Sequence, residues 1–283
     1  MLFLLIRHCE STANNNENRL QRLPDHAVPL SFNGHGQAEQ LGEFLKIYLS
    51  RWQKKIFRLW VSPYTRTRQT ADHVEPYIQE WLIDRREHLG LVEQQWGLFD
   101  GLTDEEMIEL YPQESEYYYR CKEHQGKFWA RIPLGESPYD VANRVHESFG
   151  TFHRDYEKKS VEHNIIISHG TTNRAFAMQW LHKSPEWYDA EPNPVNGSVR
   201  LIEDTTDYGY IYKPDGKMMA HICYSGSLKG IIREYPSALC SCCMGATEMD
   251  NVMMTHDQIE AYNKKLWKEQ NIEWKEQNAI RRT

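Results

Sequence analysis

Three short apolar segments each run directly into side chains suited to handling a phosphoryl group. Residues 2–6 lead into Arg7 and His8, residues 56–61 into Ser62 and Pro63 with Arg66 one turn on, and residues 165–168 into His169 and Gly170. Guanidinium forks match phosphate oxygens and neutralise charge as a loose phosphoryl-transfer transition state forms, while an imidazole supplies a nucleophile. Either histidine alone reads more readily as an ordinary polar residue at a strand end. Two arginines and two histidines leaving three strands in the same way form a far less ordinary set.

The elements that must position them follow from periodicity. The segments LFLLI (2–6), IFRLWV (56–61) and NIIIS (164–168) read as buried strands. Ala38, Leu41, Leu45 and Tyr48 recur at helical spacing over 33–49, and Thr70, Val74, Tyr77, Ile78 and Trp81 repeat the pattern after the second strand. Ser137, Pro138 and Asp140 read as the N-cap, N1 proline and first-turn acid of a helix with Val141, Val145, Phe149 and Phe152 on one face. Strands alternating with helices imply an α/β fold, a three-layer α/β/α sandwich around a mainly parallel sheet. In such sheets ligands bind beyond the carboxyl ends of the strands, which is where the polar cluster falls. Asn196-Gly197, between Val195 and the apolar run 199–202, predicts a hairpin and a late strand.

Beyond residue 205 glycines break up short apolar pieces. Thr255 and Gln258 then offer a capping box to a final amphipathic helix carrying Ile259, Tyr262, Leu266 and Trp267. The expected organisation is a catalytic domain over 1–205 and a C-terminal extension over 206–283 packed on it.

The 283 residues are 40% apolar, 26% charged and 12% aromatic, which excludes disordered and collagen-like classes. Thirty-three Lys and Arg against forty Asp and Glu leave a charge of -7, a poor match to nucleic acid or an anionic membrane. Any anion site must therefore be local. The longest apolar run, 1–6, is too short to span a bilayer and has neither the basic start nor the cleavage signature of a leader, so a cytoplasmic location is expected. Cys9, Cys121 and Cys223 stand alone and Cys240, Cys242 and Cys243 crowd together, which makes no disulfide framework and lacks the paired spacing of a zinc site. No metal, cofactor, nucleic-acid or membrane partner is expected. The expected ligand is a small phosphorylated molecule, and nothing in the sequence decides the oligomeric state.

The motifs resemble a known family. LIRHCESTAN is similar to the RHG-E-S-x-x-N signature of the histidine phosphatase superfamily, in its phosphoglycerate-mutase-like branch. VSPYTRTRQTA resembles the family's S-P-x-x-R-x-x-Q-T-A segment, IISHGTTNR its third motif, and LVEQQWGLFDG its L-x-E-x-x-x-G-x-x-x-G acid segment, in the same order over about residues 1–205. PDHAVPLSFNG, VSPYTRTR and FWARIPLGESPYDVANRV look closest to plant and fungal phosphoglycerate-mutase-like phosphatases. The resemblance implies a phosphoglycerate-mutase-like fold and assigns roles. His8 becomes the phosphohistidine nucleophile, Arg7, Arg66 and His169 hold the phosphate, and Glu93 is the proton donor. It further implies phosphate or substrate contacts from Asn14 and Ser62 and from the backbone of Gly170 and Thr171, positions equally suited to structural capping. His8 must be unprotonated to attack, whereas Glu93 must carry a proton to release an alkoxide and lose it to activate water.

Cys9 stands where the resembled motif has glycine, which leaves a catalytically weak phosphate-binding protein as an alternative. A phosphoglycerate-mutase-type phosphotransferase is a second. Against it, the run Leu102, Thr103, Asp104, Glu105, Glu106 would repel a second phosphate, and Arg85-Arg86 precedes the acid segment and reads as surface charge. Residues 104–131 read as a lid whose Tyr117, Tyr118, Tyr119, Phe128 and Trp129 either pack or meet a planar substrate.

Overall fold

The apolar run LFLLIR forms β1 (Leu2–Arg7), buried along nearly its whole length on both faces, as a strand without polar alternation must be. It pairs in parallel with β4 (His163–Ser168). β4 pairs in parallel with β2 (Phe57–Val61), and β2 with β3 (Leu82–Glu87). β5 (Val199–Glu203) closes the other side of β1 antiparallel, and β6 (Thr206–Tyr212) follows it, giving the order β3-β2-β4-β1-β5-β6. The computed structural model describes residues 1–15, 23–214, 217–222, 232–234 and 251–269. The cysteines 223, 240, 242 and 243 lie outside those residues.

Register matters more than order for the site. Arg7 lies opposite Ser168 in one parallel pair, and Val61 opposite Ile167 in the next. The strands therefore end flush, and His8, Ser62 and His169 leave at one edge.

Both faces of the sheet are covered. Phe3, Leu5, Trp60, Ile166 and Ile202 share a core with Val141, Val145, Phe149 and Phe152 of α5 (Pro138–Lys159) and Phe176 of α6 (Gly170–Trp180). The alternate residues Leu4, Ile6, Leu59 and Ile165 face the other way, are equally buried, and are covered by the mutually packed helices α1 (Phe32–Leu49) and α2 (Thr65–Ile78). Each such side chain contributes about 1.5–3 kcal/mol of burial. The expected start of α5 is present, with Ser137 and Asp140 capping it reciprocally; Ser31 caps α1 through Gly34 N at 3.0 Å. Gly34 is required there, since a Cβ would lie 1.9 Å from the Glu10 carbonyl. Between β3 and α5 run α3 (Asp104–Leu110) and α4 (Pro112–Gln125), and α7 (Pro185–Ala190) follows α6.

Several expectations change. Periodicity gives no strand at β3, because LIDRRE is mostly charged; partners hold those charges in the sheet. Arg58 on β2, 2% exposed, binds Asp84 at 2.5 Å and Asp155 of α5, while Arg86 binds Asp84 and Arg85 binds Asp72 and Glu75. Arg85 and Arg86 are thus committed to carboxylates rather than free surface charge. Trp81 is not on the helix, which stops at Ile78; it is buried at the turn into β3. Asn196-Gly197 forms no hairpin: the turn leads into β5, which pairs with β1, and the hairpin instead joins β5 to β6 around Asp204. Of the two readings of the aromatic residues over 104–131, packing holds for three: Phe128 is buried in the main core, and Tyr118 and Tyr119 pack around Phe99, Met107 and Ile132.

The chain divides into two compact units, residues 1–209 and 210–283, a few residues beyond the compositional change. In the second, β7 (Lys217–Ile222) pairs antiparallel with β8 (Ile232–Glu234) and β9 (Asn251–Thr255). α8 (His256–Glu269) begins on the anticipated capping box, with Thr255 N donating to Gln258 Oε1 at 2.9 Å and Gln258 N to Thr255 Oγ1 at 3.1 Å. It contacts the strands of its own unit and buries Ile259. Among the described residues no helix is long and apolar enough to cross a membrane.

Candidate active site

His8 leaves β1 with its backbone pinned on both sides. Its amide donates to Ser168 O at 2.9 Å, while its carbonyl accepts from Gly197 N at 3.2 Å and Asn196 Nδ2 at 3.1 Å. The ring is 3% exposed, and its Nδ1 lies 2.7 Å from the Cys9 carbonyl. A carbonyl only accepts, so Nδ1 carries the hydrogen and Nε2 keeps its lone pair. Burial, and then the charges of Arg66 and Arg7, hold the imidazole well below its ordinary range. The result is a neutral ring with a nucleophilic Nε2.

His169, at the end of β4, is fully buried and its ring centroid lies 5.2 Å from that of His8. Ser62 Oγ, at the end of β2, lies 2.8 Å from His169 Nε2, while Nδ1 has no hydrogen-bond partner among the described residues. If Ser62 donates to Nε2, the His169 proton sits on Nδ1 and is available to an incoming oxygen. Burial, Arg66 and His8 keep this ring neutral as well. Gly170 and Thr171 follow as the first residues of α6, where helix geometry leaves their N–H groups without intrahelical acceptors.

Arg66 enters from α2, 4% exposed, with its guanidinium 5.0 Å from the centroid of the Tyr64 ring. The same Tyr64 ring sits 5.0 Å from His169. Arg7 donates through Nη1 to Pro194 O at 2.6 Å. Asn14 is exposed, and its amide oxygen accepts from Ser11 N at 2.9 Å, Ser11 Oγ at 2.8 Å and Asn196 Nδ2 at 3.1 Å. That oxygen closes the turn after the nucleophile and links it to Asn196.

Glu93 is carried by a segment whose four consecutive carbonyls are each claimed. Arg144 of α5 donates to Gly90 O at 2.9 Å and Glu93 O at 3.0 Å, Ser168 Oγ to Leu91 O at 2.7 Å, and Thr172 Oγ1 to Val92 O at 2.6 Å. Arg144 also grips Glu136 through Nε at 2.9 Å and Nη2 at 3.1 Å. Glu136 in turn accepts from Gln95 N at 3.0 Å. The chain turns there at Gly97, whose φ of 52° and lack of a Cβ let Pro133 O approach. The side chain is placed as firmly: Glu93 Oε1 accepts from Gln94 N at 2.9 Å.

Sequence reasoning finds Arg7, His8, Ser62, Arg66, Glu93, His169, Gly170 and Thr171, and the structure gathers them at one sheet edge. It misses Asn196, mistaken for a hairpin turn, and Tyr64, Thr172 and Arg144, whose contacts are too remote in sequence to show. Asp25, inside the PDHAVPL stretch, is a further omission. Cys9 itself is fully buried, and it is not among the described residues with positive φ, so its backbone does not demand glycine.

A phosphoglycerate mutase-like protein of Arabidopsis thaliana is 30% identical over 214 residues, covering 71% of this chain and 64% of that protein, so the chain spans just under two thirds of its length. A broad-range acid phosphatase of Saccharomyces cerevisiae is 24% identical over 71% of this chain and 85% of its own. A putative alpha-ribazole-5'-P phosphatase of Escherichia coli shares the fold, with a TM-score of 0.55 at 19% identity over 76% of this chain and 92% of that one. The model of the histidine phosphatase superfamily (branch 1) matches residues 3–212. That match takes in every strand end and helix start that meets at His8, and the chain belongs to the histidine phosphatase superfamily.

Proposed function

We propose that the protein is a phosphomonoester hydrolase that works through a phosphohistidine at His8. The observation that carries the reading is the Nδ1 contact of His8 with the Cys9 carbonyl at 2.7 Å, inside a pocket with Arg7, Arg66 and a neutral His169. It is a nucleophile with its lone pair fixed and its charge suppressed, set among cations suited to a phosphoryl dianion. The names of the yeast acid phosphatase and the E. coli phosphatase point the same way.

In the first step His8 Nε2 attacks phosphorus, the P–O ester bond breaks, and Glu93 passes its carboxyl proton to the leaving oxygen. In the second, the Glu93 carboxylate takes a proton from water as the water oxygen attacks phosphorus and the P–N bond breaks, freeing inorganic phosphate. His169 Nδ1 and the N–H groups of Gly170 and Thr171 donate to equatorial oxygens, while Arg7 and Arg66 offset their charge. Asp104, Glu105 and Glu106 form the acidic first turn of α3, so the region after the acid segment offers carboxylates rather than cations for a second phosphate. Hydrolysis is therefore favoured over mutase transfer. The substrate class is a small organic phosphate, and the free thiols of Cys9 and Cys121 suit a cytoplasmic setting.

The test is rapid-quench labelling with radiolabelled p-nitrophenyl phosphate. Acid-labile, base-stable phosphate on His8, released at the turnover rate and lost in a folded His8→Ala variant, is the expected result. Turnover that survives in His8→Ala would remove His8 as nucleophile.

A further inference from the structure

Arg66 is gripped by a carboxylate. Its Nη1 donates to the Asp25 backbone carbonyl at 2.6 Å and to Asp25 Oδ1 at 2.9 Å, and its Nη2 donates to Oδ2 at 3.3 Å. Of the five N–H donors of a guanidinium, Asp25 takes three, all on the Nη1/Nη2 end. The Nε–H and the second Nη2–H, which form the side-on edge, are without partners among the described residues. A dianion arriving at the pocket has that edge to bind.

Asp25 is held rigidly enough to act on Arg66. It opens a short 3-10 turn, Asp25–Ala27, whose following residues are tied to both neighbours of the site. Thr12 N donates to Pro29 O at 3.1 Å on the nucleophile side, and Leu30 N donates to Gln69 Oε1 at 2.7 Å on α2. The Arg66 side chain is 5% exposed and that of Asp25 27%, so the pair is poorly screened. Asp100 adds negative charge within reach of both, its own carboxyl pushed up by burial and by Asp25.

We propose that Asp25 is a built-in counter-anion of the phosphoryl pocket, which aims the Nε/Nη2 edge of Arg66 at the phosphoryl group and offsets part of its charge so that inorganic phosphate is released readily. Asp25 is a positioning residue: it acts through Arg66. This rests on the phosphoryl-transfer reading of the site.

The sign of one measurement separates this role from a merely structural one. Asp25→Asn keeps the shape and a hydrogen-bond acceptor but removes the charge. Inorganic phosphate, measured by calorimetry and as a competitive inhibitor of p-nitrophenyl phosphate hydrolysis, is expected to bind the variant about tenfold more tightly than wild type. Asp25→Glu keeps the charge but displaces the fork, so phosphate affinity stays within about twofold of wild type while kcat falls. Unchanged or weaker phosphate binding in Asp25→Asn, or equal tightening in both variants, overturns the proposal. A wild-type protein that neither binds phosphate nor hydrolyses the aryl ester overturns the phosphoryl-transfer reading itself, and this proposal with it.

Discussion

Replacing Arg144 by methionine tests whether the segment bearing Glu93 is held in place from α5. Methionine keeps an apolar stem of similar length and removes the guanidinium that makes four hydrogen bonds. Two bonds to Glu136 are lost, at 2.9 and 3.1 Å, and two to the Gly90 and Glu93 carbonyls, at 2.9 and 3.0 Å. The side chains of Arg144 and Glu136 are 18% and 19% exposed, so the carboxylate left behind is largely desolvated. Breaking a buried pair from one side costs about 3–5 kcal/mol, and residual exposure puts this one near 3. For a unit of this size that lowers Tm by roughly 6–12 °C. The double variant Arg144→Met/Glu136→Gln should recover part of the loss, because the stranded charge is gone.

The kinetic consequence is more specific. A slackened Glu93 matters only where the leaving oxygen needs a proton, so kcat/KM for an alkyl phosphate should fall roughly 10–100-fold while p-nitrophenyl phosphate stays within about threefold. The assay is kcat/KM across phosphomonoesters of graded leaving-group acidity, with thermal melts on the same preparations. Equal losses for alkyl and aryl substrates, or an unchanged Tm, would refute the reasoning.

Three further outcomes follow from the buried groups at and around His8. Burial first, and then nearby cations, depress the folded-state pKa values of His8 and His169, so the unfolded chain binds protons that the fold refuses. Their stabilisation is complete above about pH 6.5 and is lost as pH falls through the folded-state values. Tm should therefore drop on acidification, and His169→Asn should flatten that slope without abolishing it, because burial also lowers His88 and His163; an unaltered slope in melts from about pH 8 to 5 would sink the assignment. Burial pushes the Cys9 thiol up to about 12, against the lowering contact with Thr70, so native-state alkylation mapped by mass spectrometry should label half-buried Cys121 and spare Cys9. Cys9→Ala should keep turnover within about threefold, since nothing assigned to the thiol is lost; rapid labelling, or a large loss of activity, would restore a chemical role for the thiol.

What could be read from the sequence was whatever repeats locally. LFLLI, IFRLWV and NIIIS declare buried strands because both faces of a central parallel strand are apolar, and the residues that leave them declare the pocket. Ser137-Pro138 and Thr255-Gln258 declare helix starts through contacts three residues apart. β3 stayed hidden because Arg85, Arg86 and Asp84 are stabilised by partners on other elements, a compensation no local pattern carries. Asn196-Gly197 has turn chemistry, but the partner of that turn is the end of β1 rather than an adjacent strand. Asp25 and Arg144 were invisible for the same reason: a brace is defined by what it touches.

The support of His8 from Asn196 spans 188 residues. A ribosome adds about 5–20 residues per second, so the nucleophile emerges roughly 10–40 s before the amide that fixes its carbonyl. For most of that interval β1 has neither β4 nor β5 beside it, and the His8 amide has no Ser168 carbonyl to bond. The backbone support of His8 is thus completed only when nearly the whole first unit has been made. A chain cut short between residues 170 and 195 would carry Arg7, His8, Arg66, Glu93 and His169 and still lack the Asn196 contact with the His8 carbonyl.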